Sequence, residues 1–148
     1  MPKVAIMMGS SSDTPTMEKA KKVLEDFGIE SDWQVLSAHR TPEKMAEYVK
    51  SAPDQGVRVF ICGAGLAAAL PGSVAAHTDL PVIGVPLNAA LDGMDSLLSI
   101  AQMPPGVPVA CVGIDNARNA AYLAVSMLAL EDEEIAARWA EFRAEQRA

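Results

Sequence analysis

No lysine follows Lys50, and nowhere in the chain is a glycine followed by a lysine. The phosphate loop of ATP- and GTP-hydrolysing enzymes needs a Gly-Lys pair, so hydrolysis by that route is excluded. Basic residues are outnumbered 12 to 19, leaving a net charge of −7 and a pI near 4.7. A nucleic-acid binder carries a basic footprint, and this chain has none. There are two histidines, His39 and His77, and two cysteines, Cys62 and Cys111. Their spacing fits no zinc or redox motif, and no carboxylate–histidine cluster accompanies them, so no metal site is expected. Both cysteines lie in apolar runs and read as reduced core residues of a cytoplasmic protein. Aromatics make up only 5% of the chain, so the core must be aliphatic and no rings are placed to flank a flavin. Long hydrophobic runs are also missing. The uncharged stretch Val59–Ala76 is broken by Gly63, Gly65, Pro71 and Gly72, and Val4–Met8 is too short for a signal-peptide core. A soluble protein without a membrane partner is expected.

What remains is aliphatic and regular. Half of the 148 residues are hydrophobic and the mean hydropathy is +0.15, which excludes disorder and fits one domain over residues 1–148. Short β-rich runs alternate with helical ones. Strands are expected at Val4–Met8, Asp32–Leu36, Val57–Cys62, Pro81–Val85 and Val107–Val112. Helices are expected at Pro15–Phe27, Thr41–Ser51, Leu66–Thr78, Met94–Gln102 and Asn116–Leu130, with a C-terminal one over about 131–146. Nearly continuous apolar strands between helices imply a parallel sheet covered on both faces. The fold class is therefore α/β, a three-layer sandwich with a flavodoxin-like, doubly wound, five-stranded sheet. Ala120–Leu130 has almost no polar face, only Tyr122 and Ser126 interrupting it, and reads as an oligomer interface.

In such a sheet ligands bind beyond the carboxyl ends of the strands, which selects the loops to inspect. Gly9-Ser10-Ser11-Ser12-Asp13 joins a strand to a helix N-terminus, where free amides and the helix dipole favour phosphate. Helix capping by Ser12 or Asp13 is the competing reading. A carboxylate repels phosphate, so Asp13 faces ribose hydroxyls if the phosphate sits here. The second loop, Ser37-Ala38-His39-Arg40-Thr41-Pro42, pairs a residue that moves protons near neutral pH with a forked phosphate ligand. His77 reads as a helix-terminal residue. The third loop, Gly63-Ala64-Gly65-Leu66-Ala67-Ala68, matches the dinucleotide fingerprint formally, but no acid ends the next strand, so NAD binding is rejected. An apolar loop with amides at a helix start instead suits a small carboxylate or CO2 held away from water. A phospho-receiver role also fails, because Gly63-Ala64-Gly65 and Gly113-Ile114-Asp115 stand where its Asp and Lys are required.

These loops, together with Leu70-Pro71-Gly72 and Asp95-Ser96-Leu97-Leu98-Ser99-Ile100-Ala101-Gln102-Met103-Pro104, occur in an order that resembles the 5-(carboxyamino)imidazole ribonucleotide mutase family. This is the catalytic-subunit family of phosphoribosylaminoimidazole carboxylase, and the resemblance spans about residues 3 to 130. It implies an isomerase of purine (IMP) biosynthesis that moves a carboxyl group from the exocyclic amine of an aminoimidazole ribonucleotide to the adjacent ring carbon. It further implies no metal, ATP or biotin, and a homo-octamer. Carried over, Ser10 and Arg40 contact phosphate, Asp13 the ribose, and Ser12, Ser37 and Ala38 the nucleotide. His39 carries the proton, while Ala64, Gly65, Ala67 and Leu70 form the carboxylate pocket. Many bacterial members have a second histidine just before Leu-Pro-Gly, where this chain has Ala69. Two alternatives stand beside the mutase: a direct carboxylase using free CO2, and a non-catalytic flavodoxin-type nucleotide-binding module.

Overall fold

The computed structural model describes residues 3–148. Five strands, β1 (Val4–Met8), β2 (Ser31–Val35), β3 (Val59–Ala64), β4 (Val82–Pro86) and β5 (Ala110–Cys111), pair in parallel in the order β2-β1-β3-β4-β5. Every residue of β1, β3 and β4 is buried, which is why these strands read as unbroken apolar runs. Alternate side chains feed two separate cores. Val4, Ile6, Met8, Ile61, Ile83 and Val85 meet α1 (Thr14–Asp26) and α5 (Ala117–Leu128) on one face. Ala5, Met7, Phe60, Cys62 and Val82 meet α2 (Pro42–Ser51), α3 (Ala69–Ala75) and α4 (Met94–Ala101) on the other. The edge strand β2 differs, because Asp32 accepts hydrogen bonds from the Tyr48 hydroxyl at 2.6 Å and from Gln34 Nε2 at 3.2 Å. Burial first, and then the Asp32 carboxylate, push the Tyr48 pKa well up, so the phenol stays a donor that ties α2 to this edge.

α1 starts with Pro15 in its first turn and buries Met17, Ala20, Val23 and Leu24, one helical face. It ends at Gly28, whose φ of +68° lets its amide reach the Glu25 carbonyl at 2.9 Å. A Cβ on Gly28 would lie 2.2 Å from the Arg138 guanidinium, which donates to the Phe27 carbonyl at 2.7 Å. The backbone conformation favours glycine there, and any side chain would also push the Arg138 guanidinium off the Phe27 carbonyl.

Arg138 belongs to α6 (Glu133–Arg147), the expected C-terminal helix, capped by the Asp132 carboxylate on the Ile135 amide. Its Trp139 and Phe142 rings close an aromatic cluster with Phe27 and Tyr122, at centroid distances of 4.9–6.2 Å. This changes the reading of α5. Ala117, Ala120, Ala121, Ala124, Val125 and Leu128 are buried within the chain, and α1 and α6 cover much of the remaining apolar surface. Tyr122, Leu123, Met127 and Ala129 stay half-buried, and Leu130 is exposed just past the helix end.

Two elements are shorter than expected. β5 keeps only Ala110 and Cys111, paired with Ile83 and Gly84, because Pro108 lacks an amide for the ladder and Pro104 and Pro105 precede it. Cys111 is therefore half-buried instead of a core residue, whereas Cys62 is fully buried. α3 begins at Ala69 and not Leu66, because Leu66 and Ala68 have φ of +55° and +46° and cannot continue a right-handed helix. No helix among the described residues is long and apolar enough to cross a membrane.

Candidate active site

The strand order reverses at β1: the chain leaves it to one side for β2 and returns on the other as β3. Loops after β1 and β3 then part in opposite directions and leave a crevice between them. A cavity of about 260 Å³ lies there, lined by all three inspected loops and by Ala89 from the loop after β4. A larger cleft of about 960 Å³, bordered by Lys50, His77 and Asp79, opens beside the starts of β4 and β5. It lies at the amino ends of the strands and gathers none of the loops that carry phosphate or proton chemistry.

The first loop is ordered by its own hydroxyls. Ser10 is extended and its Oγ accepts from the Ser12 amide at 3.2 Å, while the two Oγ atoms lie 2.8 Å apart. Asp13 stands at the start of α1 without capping it, so its carboxylate remains turned to the cavity. The second loop is stitched at its base. The Ser37 amide donates to Thr41 Oγ1 at 2.9 Å, and the Arg40 amide donates to Ser37 Oγ at 3.0 Å. Those bonds spare the tip, so His39 is exposed with no hydrogen bond from the rest of the described chain. Arg40 Nη2 reaches across to the Gly9 carbonyl at 2.8 Å, joining loops one and two. One arm of the guanidinium fork is thereby fixed, and its other nitrogens remain able to hold an anion.

The third loop supplies a methyl-lined wall. Ala64, Gly65, Leu66, Ala68, Ala69 and Leu70 border the cavity, with Ala89 so close that a Cβ on Gly65 would meet it at 3.1 Å. The fully buried Ser96 of α4 holds the Ala89 segment in place, its Oγ lying 2.9 Å from the Leu87 carbonyl and 3.0 Å from that of Gly93. A left-handed conformation costs a non-glycine residue about 1–2 kcal/mol, and this wall contains two, Leu66 and Ala68.

The cavity collects Ser10, Ser12, Asp13, Ser37, Ala38, His39, Arg40, Ala64, Gly65 and Leu70, all expected from the loops. Ala67 is exposed and outside the lining, because the left-handed residues on either side rotate it away. Gly9, Leu66, Ala68 and Ala69, from the same loops, and Ala89 from the loop after β4 complete the wall; nothing in the sequence singles out Ala89. His77 keeps its expected terminal place, its Nδ1 lying 2.7 Å from the Ser73 carbonyl.

Burial raises the Asp13 pKa above its usual 3.8, opposed by the Arg40 guanidinium and the Ser10 backbone. The folded chain thus keeps this proton to higher pH than the unfolded chain. The associated stability is complete below 3.8 and is lost as pH rises through the raised value. Asp13→Asn should therefore melt higher than the parent at neutral pH while binding nucleotide more weakly. Its thermal advantage should vanish in acid. Equal melting temperatures across the whole pH range would remove the burial cost assigned to Asp13.

The comparisons with known proteins agree with this geometry. Residues 3–148 match the family described as AIR carboxylase. The chain is 56% identical over 144 residues to an N5-carboxyaminoimidazole ribonucleotide mutase of Pyrococcus abyssi, covering 97% of this chain and 83% of that protein. A protein of the same name from Thermotoga maritima is 54% identical, with coverage of 97% and 84%. The crystal structure of Treponema denticola PurE superposes with a TM-score of 0.86 at 31% identity, covering 99% of this chain and 92% of that one. A family match over residues 3–148, with identity above half to relatives covered over most of their length, shows that this chain belongs to the AIR carboxylase family.

Proposed function

We propose that this chain is an isomerase of purine biosynthesis that converts 5-(carboxyamino)imidazole ribonucleotide to 4-carboxy-5-aminoimidazole ribonucleotide. The observation that carries the reading is one cavity that is polar and cationic at one end and lined with methyl groups at the other. Phosphate is held by Ser10, Arg40 and the amides of the first loop. Asp13 accepts from the ribose hydroxyls, and Ser12, Ser37 and Ala38 border the nucleotide. Beside Arg40 on the second loop, His39 gives a proton to the carbamate nitrogen as its N–C bond breaks, releasing CO2 against the third-loop wall. The ring carbon then attacks that CO2, and His39 recovers the proton that this carbon loses. Proton and carboxyl group exchange places, and nothing else is consumed. Holding CO2 beside the ring makes recapture intramolecular, an advantage of roughly 7–11 kcal/mol when alignment is good.

A direct carboxylase using free CO2 is the second reading. The third loop has no lysine or arginine to recruit bicarbonate, which favours retention over capture. Supplying the carbamate substrate in buffer containing labelled bicarbonate separates the two. Early product without label supports the mutase, and product equilibrated with the buffer label supports the carboxylase.

Arg40 gives a second test. Arg40→Ala should weaken nucleotide binding by about 1.5–3 kcal/mol, the usual loss for a hydrogen bond to a charged group, and change turnover much less. Calorimetric titration with the nucleotide checks this, and unchanged affinity would place phosphate elsewhere. The reading also carries a homo-octamer in the cytoplasm. Met94 and Leu98, one turn apart on α4, and Leu91 in the loop before it are exposed at 47%, 52% and 74% and support self-association, and the free thiols support a reducing compartment.

A further inference from the structure

Leu66 combines three features that no fold requirement explains. Its φ is +55°, a conformation that glycine adopts freely and a branched side chain does not. Its side chain borders the cavity, yet the residue is 57% exposed. It is also the only large hydrophobic residue of that lining left exposed among the described residues; the other members of this wall are small or buried. Folding alone favours glycine at this position, on backbone strain and on exposure alike. Strain held at the mouth of a functional cavity points from the outlier to a role.

We infer that Leu66 is a positioning residue of the carboxyl transfer, the apolar cap that keeps CO2 in the cavity between release and recapture. The inference rests on the mutase reading above. Between the two steps the cavity holds an amine, a ring carbon still carrying its hydrogen, and one uncharged CO2 molecule. None of these can anchor CO2 by charge, so its residence depends on walls that shut out water and block the exit. Ala64, Ala68, Ala69 and Ala89 offer one methyl each and form the floor. Leu66 supplies the bulk at the rim. Ala69 leaves no polar side chain at that point of the wall, so steric closure replaces any hydrogen bond to the carboxyl group.

The test compares the parent chain with Leu66→Ala and Leu66→Gly, giving each the carbamate substrate in labelled bicarbonate. The readouts are label in early product and the ratio of decarboxylated to carboxylated nucleotide, corrected for spontaneous loss. Expected is a graded rise in both from Leu to Ala to Gly, several-fold at Gly, with KM for the nucleotide little changed. Leu66→Gly should also melt no lower than the parent, because its strain is relieved. Unaltered label and product ratio in both variants, whatever their melting temperatures, would overturn the cap. Leu66→Ala guards against a folding artefact, since it keeps the strained backbone and removes only bulk. Failure of the parent itself to form carboxylated product overturns the mutase reading and the cap together.

Discussion

Replacing His39 with asparagine should lower turnover about 10²- to 10⁴-fold, the usual worth of a positioned acid–base group, while nucleotide affinity stays essentially unchanged. The geometry separates the two effects. Ser37 and Thr41 hold the second loop through bonds that do not involve the imidazole, so the loop keeps its shape without it. In the proposed binding mode phosphate is held by Ser10 and Arg40, not by the imidazole, and an asparagine amide can still hydrogen-bond at the tip. It cannot pass a proton from ring carbon to nitrogen. Because His39 is exposed and unbonded within the described chain, its loss strands no buried group, and stability should stay within about 0.5 kcal/mol. Binding by calorimetry and single-turnover formation of carboxylated product measure the two quantities independently. Near-normal turnover would sink the role of His39 and leave a nucleotide-binding module.

The second large effect is structural. Gly84→Val should destabilise the chain by about 3 kcal/mol, the upper end of ordinary overpacking. A Cβ at Gly84 would stand 2.4 Å from Ile100 Cγ2, 3.3 Å from Val109 Cγ1 and 3.4 Å from Pro71 Cβ. Three segments, α4, the run into β5, and α3, thus converge on the missing side chain. Ile100 is fully buried and branched at Cβ, so it cannot swing aside as a methionine can. Displacing it moves α4, and α4 carries the Ser96 that fixes the Ala89 wall. Ile100→Ala in the same chain should recover part of the loss, with a coupling of about 0.5–3 kcal/mol in a double-mutant cycle. Strictly additive losses in urea would show that the contact with Ile100 is not the cause.

Gly84 also marks how far the sequence could be read. Val82-Ile83-Gly84-Val85-Pro86 was legible as a strand, since apolar runs between helical patterns have one common explanation. That glycine was required at its centre was not legible, because the reason lies in residues 13 positions or more away. The same division holds elsewhere. β1, β3 and β4 were read to within a residue or two, as both their faces are covered. β5 was overestimated because a local apolar run says nothing of where a neighbour stops pairing. α3 was overestimated because alanines read as helix, while the left-handed turns at Leu66 and Ala68 leave no trace in composition. Polar members of the site were found from their chemistry and their place after strands. Leu66 and Ala68 were read only as part of an apolar loop, and Ala89, from the loop after β4, was missed, since only shape gives it a part. Ala120–Leu130 was read as a run with almost no polar face, most of which falls in α5. Its cover came from Trp139 and Phe142 of α6, a pairing that periodicity cannot reveal.

The sheet's margins bear on how this chain meets others of its kind. An open strand margin recruits further strands when it is long, flat and apolar, and the result is fibrous growth. Here one margin, β5, is two residues long and preceded by prolines. The other, β2, carries Ser31, Asp32 and Gln34, with Asp32 held by Tyr48. Neither offers a template of useful length, so strand-by-strand accretion is closed at both ends. In the assembly proposed above, contacts between copies would therefore run through helices and loops, where a symmetric contact can close into a finite ring or cage.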